Sequence, residues 1–213
     1  MHNINTIIWD WNGTLLNDVD VSIETINELL NERELPLLTK NSYREVFGFP
    51  VEEYYRRIGF DFQHEPFEVP AHQYIERYKQ NHSRATLQTS AIELLDFFRK
   101  KGFTQIVLSA SESTILYKQL QHHNITHYFD KIAGLSHIYA TSKAELGIQT
   151  LHSLNISSEN ACMIGDTTHD YEVAQKIGCS CILVNGGHHA ENKLLETGAT
   201  VVKEMKDLSA LFL

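Results

Sequence analysis

The chain has 213 residues, of which 42% are hydrophobic, and this is enough to bury a full α/β core. Its formal net charge of −9 argues against nucleic acid and acidic membranes as partners, because such a surface repels phosphate groups. The sequence contains no apolar run long enough to span a membrane and no basic region followed by an apolar stretch. We therefore expect a cytoplasmic protein without a membrane span.

The first part of the chain combines one strand with several helices. A short apolar and β-branched run predicts a strand at residues 4–9, which stops at Asp10. The residues that follow carry almost only helical patterns, and the pattern relaxes near residues 16–19 and 83–89. The helices are predicted at residues 19–34, 40–46, 51–58 and 70–81.

The second part of the chain alternates strands with helices. This alternation predicts a Rossmann-like, doubly wound α/β fold with a parallel sheet and right-handed crossovers. The helical stretch is then best explained as a cap domain inserted after the first strand. We predict a core domain of residues 1–16 and 87–213 and a cap domain of residues 17–86. The strands are predicted at 105–108, 128–133, 161–164, 181–184 and 199–202, and the helices at 91–101, 113–122, 142–154, 168–177 and 190–196.

Polar side chains stand where the predicted parallel strands end, which is where open α/β sheets form their sites. Three carboxylates at one edge are costly unless a cation neutralises them. Because the ligands are hard oxygens and no His/Cys cluster accompanies them, Mg²⁺ is the fitting ion. The residues are Asp10 and Asn12 after the first strand, Ser109 and Ala110 after the second, Asp166 and Asp170 after the fourth, and Lys143 at the start of the preceding helix.

Four short runs also match, in order, the motifs of a known enzyme family. They are Asp10-Trp11-Asn12-Gly13-Thr14-Leu15, Leu108-Ser109-Ala110-Ser111, the single Lys143, and Gly165-Asp166-Thr167-Thr168-His169-Asp170. In these runs the chain resembles the haloacid dehalogenase superfamily, and within it the branch of phosphoglycolate phosphatase-like and β-phosphoglucomutase-like proteins. One such run arises easily by chance, whereas four in order at strand and helix ends are a specific signal. The helical insertion resembles the cap that this family carries between its first two motifs.

The resemblance implies a Mg²⁺-dependent phosphatase that hydrolyses a small phosphomonoester, phosphoglycolate-like or sugar-phosphate-like. Asp10 would attack the phosphorus and form an aspartyl-phosphate, which water then hydrolyses. Mg²⁺ would be held by Asp10, the backbone carbonyl of Asn12, Asp166 and Asp170, the last directly or through water. The expected partner is a small phosphorylated metabolite, and the chain is expected to be a monomer or a weak homodimer. The residues expected to bind the phosphoryl group are Gly13, Thr14, Ser109, Ala110 and Lys143.

Asn12 departs from the family pattern. Phosphatases of this family usually carry a second aspartate at this position, which protonates the leaving oxygen. An amide cannot exchange a proton at neutral pH, and general acid–base catalysis contributes about 10²–10⁴-fold. Turnover is therefore slow, or the leaving group needs little protonation, or His169 or His188 substitutes. The Asn12→Asp variant is expected to raise turnover or to leave it unchanged.

Two alternatives stay open on the sequence alone. A catalytically weak phosphate-binding or regulatory protein of the same family would explain Asn12. A phosphonatase or a dehalogenase would have a leaving group that needs no proton. Dehalogenases of this family use no metal, whereas Asp166 and Asp170 suit one, and phosphonatases need a cap lysine that the sequence does not clearly place. In the cap, the turn at residues 47–50 and Arg44, Arg56 and Arg57 are candidates for contacting the far end of the substrate.

Overall fold

The computed structural model describes residues 3–135 and 142–213, and a parallel sheet organises most of them. None of the described helices is long and apolar enough to cross a membrane. The strands are β1 (Thr6–Trp9), β2 (Leu16–Asn17), β3 (Thr86–Leu87), β4 (Thr104–Glu112), β5 (Lys131–Leu135), β6 (Ala161–Gly165), β7 (Ser180–Val184) and β8 (Thr200–Val202). The α-helices are α1 (Val19–Glu32), α2 (Lys40–Val46), α3 (Val51–Arg57), α4 (Glu68–Asn81), α5 (Ala91–Lys100), α6 (Ser113–His122), α7 (Lys143–Ser153), α8 (Thr168–Ile177) and α9 (Glu191–Glu196).

Six strands form the main sheet in the order β5-β4-β1-β6-β7-β8. Strand β1 lies at its centre and pairs in parallel with β4 on one side and β6 on the other. The chain first builds the sheet outward through β4 and β5 and then crosses over to β6. This reversal creates a crevice at the carboxyl end of β1, where open α/β sheets bind their ligands. The predicted doubly wound α/β fold is confirmed.

Alternate residues of β1 pack into two apolar layers, one on each face of the sheet. Ile7 and Trp9 belong to one layer, in which the Trp9 ring meets Phe98 of α5 edge-on at 5.6 Å between ring centroids. Ile8 belongs to the other layer, where it packs in one cluster with Val173 of α8. Because both faces are covered, β1 is buried throughout and apolar from Ile7 to Trp9, as its sequence indicated. The first polar side chain after it is therefore held rigidly at the sheet edge.

The cap segment, which we define as α1 to α4 (residues 19–81), has an apolar cluster of its own, separate from the two layers of the core. It joins the core through an antiparallel ribbon in which Leu16 of β2 pairs with Leu87 of β3 and Asn17 pairs with Thr86. The sequence patterns did not predict this ribbon, because two-residue strands are too short to show a period. It lies where the helical pattern relaxes, and the domain boundaries given above stay a prediction.

Some element bounds differ from those expected. Strand β5 begins at Lys131 rather than at residue 128, because Thr126–Tyr128 forms a 3₁₀ turn. Strand β4 continues to Glu112, four residues beyond the predicted end at 108, which carries it past Ser109. The carboxyl end of β4 therefore reaches the mouth of the crevice.

Candidate active site

Three aspartates meet in the crevice at the end of β1. The backbone N–H of Asp10 donates to the carbonyl of Ile164 at 2.9 Å, which extends the ladder to β6 by one residue. One carboxylate oxygen from each of Asp10, Asp166 and Asp170 lies within 4.8 Å of the others. All three residues are buried. The parallel sheet thus brings together the carboxylates that the strand ends predicted.

Asp170 is fixed by the first turn of α8. Thr167 is the N-cap of this helix, and its side chain and that of Asp170 form a reciprocal capping box. The Oδ2 of Asp170 accepts from the backbone N–H of Thr167 at 3.0 Å and from its hydroxyl at 2.7 Å. The other oxygen, Oδ1, is left to face the crevice.

Lys143 bridges two of the three carboxylates. It is the first residue of α7, behind the N-cap Ser142, and its side chain is buried. Its Nζ contacts Oδ1 of Asp10 and lies 2.7 Å from Oδ1 of Asp170. Burial lowers the pKa of Lys143, but the two carboxylates outweigh it and raise the pKa above its usual value. Lys143 is therefore a permanent positive charge in the crevice.

One ammonium does not balance three buried carboxylates. Burial raises the pKa of Asp10 to about 8, and Asp170 and Asp166 add to the rise while Lys143 opposes it. Burial also raises the pKa of Asp166 to about 6. These shifts mean that the cluster lacks positive charge, and three convergent carboxylate oxygens are ligands for a hard divalent cation. The donor set fits a metal ion, and its identity as Mg²⁺ stays a prediction.

Asp166 is held by the turn after β1 and by the turn after β7. Its Oδ1 accepts from the Thr14 hydroxyl at 2.7 Å, and its Oδ2 accepts from the backbone N–H of His188 at 2.6 Å. A Cβ added at Gly13 would lie 2.2 Å from Oδ2, and one added at Gly187 would lie 2.1 Å from it. Gly13 also has a φ of +77°, which disfavours any other residue. Gly13 and Thr14 therefore contact Asp166, although the sequence placed them against the phosphoryl group.

Both ends of the Asn12 amide are engaged within the protein. Its Nδ2 donates to Oδ2 of Asp18 and to the hydroxyl of Tyr78, both at 2.8 Å. Its Oδ1 accepts from the hydroxyl of Ser111 at 3.0 Å. The side chain is thus turned toward the cap segment, and the role of the Asn12 carbonyl in metal binding stays a prediction.

Asp18 has the largest number of partners in this region, and the sequence analysis did not single it out. It is 1% exposed, and it accepts from the backbone N–H of Gly13 at 2.8 Å and from the Tyr78 hydroxyl at 2.6 Å, in addition to Asn12. Burial raises the pKa of Asp18, but its charge and hydrogen-bond interactions with His188 outweigh burial and lower it. In the sequence Asp18 resembles an ordinary acid before a helix, and its place at the joint between β2 and α1 was the only available signal.

His188 forms a buried ion pair with Asp18 and a hydrogen bond to Tyr43 of the cap segment. Its Nε2 lies 3.2 Å from Oδ1 of Asp18, and its Nδ1 lies 2.8 Å from the hydroxyl of Tyr43. Burial lowers the pKa of His188, but Asp18 outweighs it and raises the pKa to about 9. Both ring nitrogens are occupied, so His188 has no nitrogen free to serve a leaving group.

A cavity of about 480 Å³ lies between the cap segment and the carboxyl edge of the sheet. Six predicted site residues line it, whereas Gly13, Thr14 and Asp166 stand behind the lining. Arg44, Arg56 and Arg57 do not line it either. The six residues are Asp10, Asn12, Ser109, Ala110, Lys143 and Asp170.

The carboxyl end of β4 forms the floor of the cavity together with the segment that follows β1. Ser109 is buried, and its Oγ accepts from the backbone N–H of Ser111 at 3.0 Å, which leaves its own hydroxyl hydrogen free to donate. Ala110 is exposed. Arg44 donates instead to the carbonyl of Gly187 at 2.8 Å and so ties the cap segment to the core.

The fold and the crevice together define a Rossmann-like α/β protein with a buried aspartate at the end of its first strand. The sequence profile of the haloacid dehalogenase-like hydrolases matches residues 7–184, which is most of the chain, and the chain belongs to this family. The family resemblance inferred from the four motifs is confirmed.

Relatives and solved structures agree with this assignment. The chain is 22% identical over 193 residues to a protein named "Probable phosphatase IndB" of Dickeya dadantii, covering 88% of this chain and 84% of that protein. It is 23% identical to a phosphoglycolate phosphatase of Vibrio cholerae, covering 90% and 89%. The haloacid dehalogenase-like family protein SP0104 of Streptococcus pneumoniae has the same fold, with a TM-score of 0.86, 23% identity and full coverage of both chains. The predicted enzyme class, a hydrolase acting on phosphate esters, is confirmed.

Proposed function

We propose that the chain is a Mg²⁺-dependent phosphomonoesterase that works through an aspartyl-phosphate on Asp10. The observation that carries this proposal is the position of Asp10, which lines the cavity while its carboxylate converges with those of Asp166 and Asp170. A phosphoglycolate-like or sugar-phosphate-like ester, the class that the sequence predicts, is one candidate substrate.

In this proposal Asp10 supplies the attacking oxygen. Its Oδ forms a bond to phosphorus while the bond from phosphorus to the leaving oxygen breaks, and water later cleaves the aspartyl-phosphate. Lys143, with its raised pKa, would neutralise the phosphoryl oxygens next to Asp10. The Ser109 hydroxyl and the backbone of Ala110 would hydrogen-bond the same oxygens from the end of β4.

The carboxylates would also hold the metal. Asp10, Asp166 and Asp170 are the residues whose oxygens converge, and Thr14 and Gly13 keep Asp166 in place. When bound, Mg²⁺ would neutralise this cluster and stabilise negative charge on the transferring phosphoryl group. The arrangement of Asp170, with one oxygen bound to the turn and the other facing the crevice, suits a ligand that acts directly or through water.

Two of the three side chains considered for the proton of the leaving oxygen cannot donate it, and His169, the third, lines the cavity with its ring stacked on Phe49 and stays a candidate. The Asn12 amide is held by Asp18, Tyr78 and Ser111, and it cannot give up a proton at neutral pH. His188 is occupied at both ring nitrogens. We therefore propose that the enzyme is slow with leaving groups that must depart as basic alkoxides.

A catalytically weak phosphate-binding protein is the second candidate, and Asn12 is the observation that favours it. The two candidates share the phosphate site and differ in whether Asp10 becomes phosphorylated. A phosphonatase or a dehalogenase is a weaker alternative, because the carboxylate cluster suits a metal, and because Lys79, the cap lysine that lines the cavity, is exposed and paired with Glu76.

Phosphate release tests the proposal directly. Wild type, Asp10→Asn and the control Asp20→Asn, which changes an exposed aspartate of α1, are assayed with phenyl phosphate with and without Mg²⁺. We expect Asp10→Asn to lose at least about 10³-fold in kcat, because the nucleophile is gone, while Asp20→Asn keeps its activity. Mass spectrometry of acid-quenched wild type should find phosphate on the peptide that contains Asp10. Turnover by Asp10→Asn, or full activity in a strong chelator, contradicts the mechanism, and binding without turnover favours the second candidate.

A further inference from the structure

We infer that the substrate is an aryl phosphate monoester, whose phenolic oxygen leaves as an aryloxide. This inference rests on the proposed function, because it names the leaving group of the reaction at Asp10. It replaces the phosphoglycolate-like and sugar-phosphate-like classes with one that the lining of the cavity favours. Two independent features of the structure point to it, namely the side chains that line the cavity and the state of Asn12.

The cap side of the cavity is a wall of aromatic rings. The Phe49 ring stacks on His169 at 4.4 Å between centroids, and Phe47 meets Tyr43 at 5.1 Å and Tyr54 at 5.2 Å. Such a wall offers flat apolar surface and ring edges, which favour an aromatic ligand over an aliphatic one. The aromatic residues of the cap segment that line the cavity are Tyr43, Phe47, Phe49, Tyr54, Tyr55, Tyr74 and Tyr78.

The cations of the same lining, Lys143, Lys79 and His188, are already paired with carboxylates. Within the described part of the chain, no arginine lines the cavity. Lys143 is engaged by Asp10 and Asp170, and Lys79 is exposed and pairs with Glu76 at 3.1 Å.

Acidic residues add to this disadvantage. Glu112 lines the cavity in addition to Asp18 and Glu76, which are paired with His188 and Lys79, so a second negative charge on the substrate would meet one more carboxylate than these pairs balance. A carboxylate such as that of phosphoglycolate therefore meets no unpaired lysine or arginine among the described residues of the lining. An uncharged ring does not need one.

The engaged Asn12 amide independently selects the leaving group. Attack by Asp10 forms its bond to phosphorus and breaks the bond to the leaving oxygen, which keeps the electron pair. An aryloxide delocalises that charge into its ring and departs as the anion, and it takes a proton from solvent afterwards. An alkoxide needs the proton during departure, and Asn12 cannot supply it. Water then attacks the aspartyl-phosphate, which releases phosphate and restores the Asp10 carboxylate.

Four esters separate the two features in one assay. The leaving groups of benzyl and n-propyl phosphate are alkoxides of similar basicity. The ratio of kcat/KM for these two esters therefore measures recognition of the ring. Phenyl and benzyl phosphate both carry a ring, so their ratio measures the need for a proton. We expect benzyl over n-propyl phosphate by about tenfold and phenyl over benzyl phosphate by about 10²-fold or more. Phosphoglycolate should be slower than phenyl phosphate, and a rate equal to or above it overturns the inference.

A pair of phenylalanine variants locates the ring recognition. Phe49→Leu removes a ring that lines the cavity, whereas Phe62→Leu removes a ring of the cap cluster that does not line it. We expect the ratio of kcat/KM for benzyl over n-propyl phosphate to fall about three- to tenfold in Phe49→Leu and to stay at the wild-type value in Phe62→Leu. Equal ratios in all three proteins overturn the inference.

Binding of phosphonates separates this inference from the proposed function. Benzylphosphonate and n-propylphosphonate cannot be hydrolysed in the same way, and calorimetry on the wild type with Mg²⁺ measures their Kd values. Tighter binding of benzylphosphonate, by about tenfold, together with hydrolysis of phenyl phosphate supports both proposals. Hydrolysis without any preference for the ring overturns the inference alone. Ring preference in binding without hydrolysis of any ester overturns the proposed function, and with it the claim that aryl esters are substrates.

Discussion

Asp10 and Asp18 are both buried, both line the same cavity, and both follow within nine residues of the end of β1, yet their carboxyl groups behave in opposite ways. The pKa of Asp10 is raised to about 8, chiefly by burial, whereas the pKa of Asp18 is lowered because His188 overcomes the same burial. The difference lies in their partners. Asp18 accepts from Gly13, Asn12, Tyr78 and His188, while Asp10 has Lys143 and two further carboxylates.

Asp18 is thus a carboxylate that stabilises the structure, whereas Asp10 is one that we propose takes part in the reaction. A buried charge that is fully hydrogen-bonded contributes to the unique placement of its neighbours, and breaking its pair is costly. A buried charge that lacks compensation marks a place where a ligand is expected to complete the site. The Asp18 network holds Tyr43 and Tyr78 of the cap segment against the core, and the Asp10 cluster leaves room for a cation and a phosphoryl group.

The largest effect is expected from removing the charge of Asp18. Asp18→Asn leaves His188 buried without its carboxylate, and breaking such a pair costs about 3–5 kcal/mol of unfolding free energy. Urea unfolding at pH 7 measures it. The matched control is Asp20→Asn, because Asp20 is exposed and pairs only at the surface with Lys40, so a change below about 1 kcal/mol is expected. If Asp18→Asn lowers the free energy of unfolding by less than about 1 kcal/mol, as expected of Asp20→Asn, the pair of Asp18 with His188 does not stabilise the fold.

Introducing a second carboxylate beside Asp18 should lower the free energy of unfolding by about 2–4 kcal/mol at pH 8. Asn12→Asp replaces the donor that lies 2.8 Å from Oδ2 of Asp18 with an acceptor, and two carboxylates at that distance cannot both ionise without strong repulsion. The pKa of the new pair is raised relative to the unfolded chain, so the cost falls as the pH is lowered toward 5.

The double variant Asn12→Asp/Asp18→Asn provides the control for that repulsion. It restores one amide and one carboxylate at the same contact. It should be destabilised by less than the sum of the two single variants, as measured in urea. Strict additivity would mean that the two side chains do not interact. The sequence alone predicts that Asn12→Asp raises turnover or leaves it unchanged, and the structure adds this cost in stability.

Addition of Mg²⁺ should stabilise the folded protein by about 1–3 kcal/mol at saturating concentration, because binding to the folded state alone shifts the unfolding equilibrium. The reason is that the cluster of Asp10, Asp166 and Asp170 lacks positive charge. Thermal unfolding with MgCl₂, compared with NaCl of equal ionic strength, measures the effect. Asp166→Asn should lose most of it. An equal response of wild type and variant would show that Mg²⁺ does not bind at this cluster.

The smallest effect concerns His189, which neighbours the ion-paired His188 but has no carboxylate of its own. Burial lowers the pKa of His189 to about 4, and its Nδ1 accepts from the backbone N–H of Thr168 at 3.1 Å. The unfolded chain then binds a proton more readily below about pH 6.5, so stability is lost as the pH falls from 7 toward 4. Between pH 7 and pH 5, the free energy of unfolding measured in urea should fall by about 1–2 kcal/mol more in wild type than in His189→Asn. Parallel pH profiles would contradict this assignment.

The sequence was informative wherever function depends on local pattern. Strand periods and the rule that parallel strands end at one edge were enough to group Asp10 with Asp166. The fold class followed from the order of strands and helices. These predictions needed only neighbours in sequence or a general rule of sheet geometry.

What the sequence did not reveal depends on contacts between distant residues. The partners of Asp18 are 60 residues away at Tyr78 and 170 residues away at His188, and no local pattern encodes them. The sequence suggested a role for Gly13 beside the phosphoryl group, which stays a prediction, and it did not show that Asp166 lies too close to Gly13 for any side chain. The arginines of the cap segment were candidates for substrate contact because of their charge, and the structure directs Arg44 to backbone carbonyls of the core.

The ribbon of β2 and β3 has a consequence for how such enzymes diversify. Leu16 and Leu87 pair with each other, so the two points at which the chain leaves the core for the cap segment and returns from it lie side by side on neighbouring strands. Any insertion whose ends lie side by side can replace it without altering the spacing between β1 and α5. The cap segment is thereby modular, because it can be exchanged or reshaped by recombination while the carboxylates at the sheet edge keep their positions.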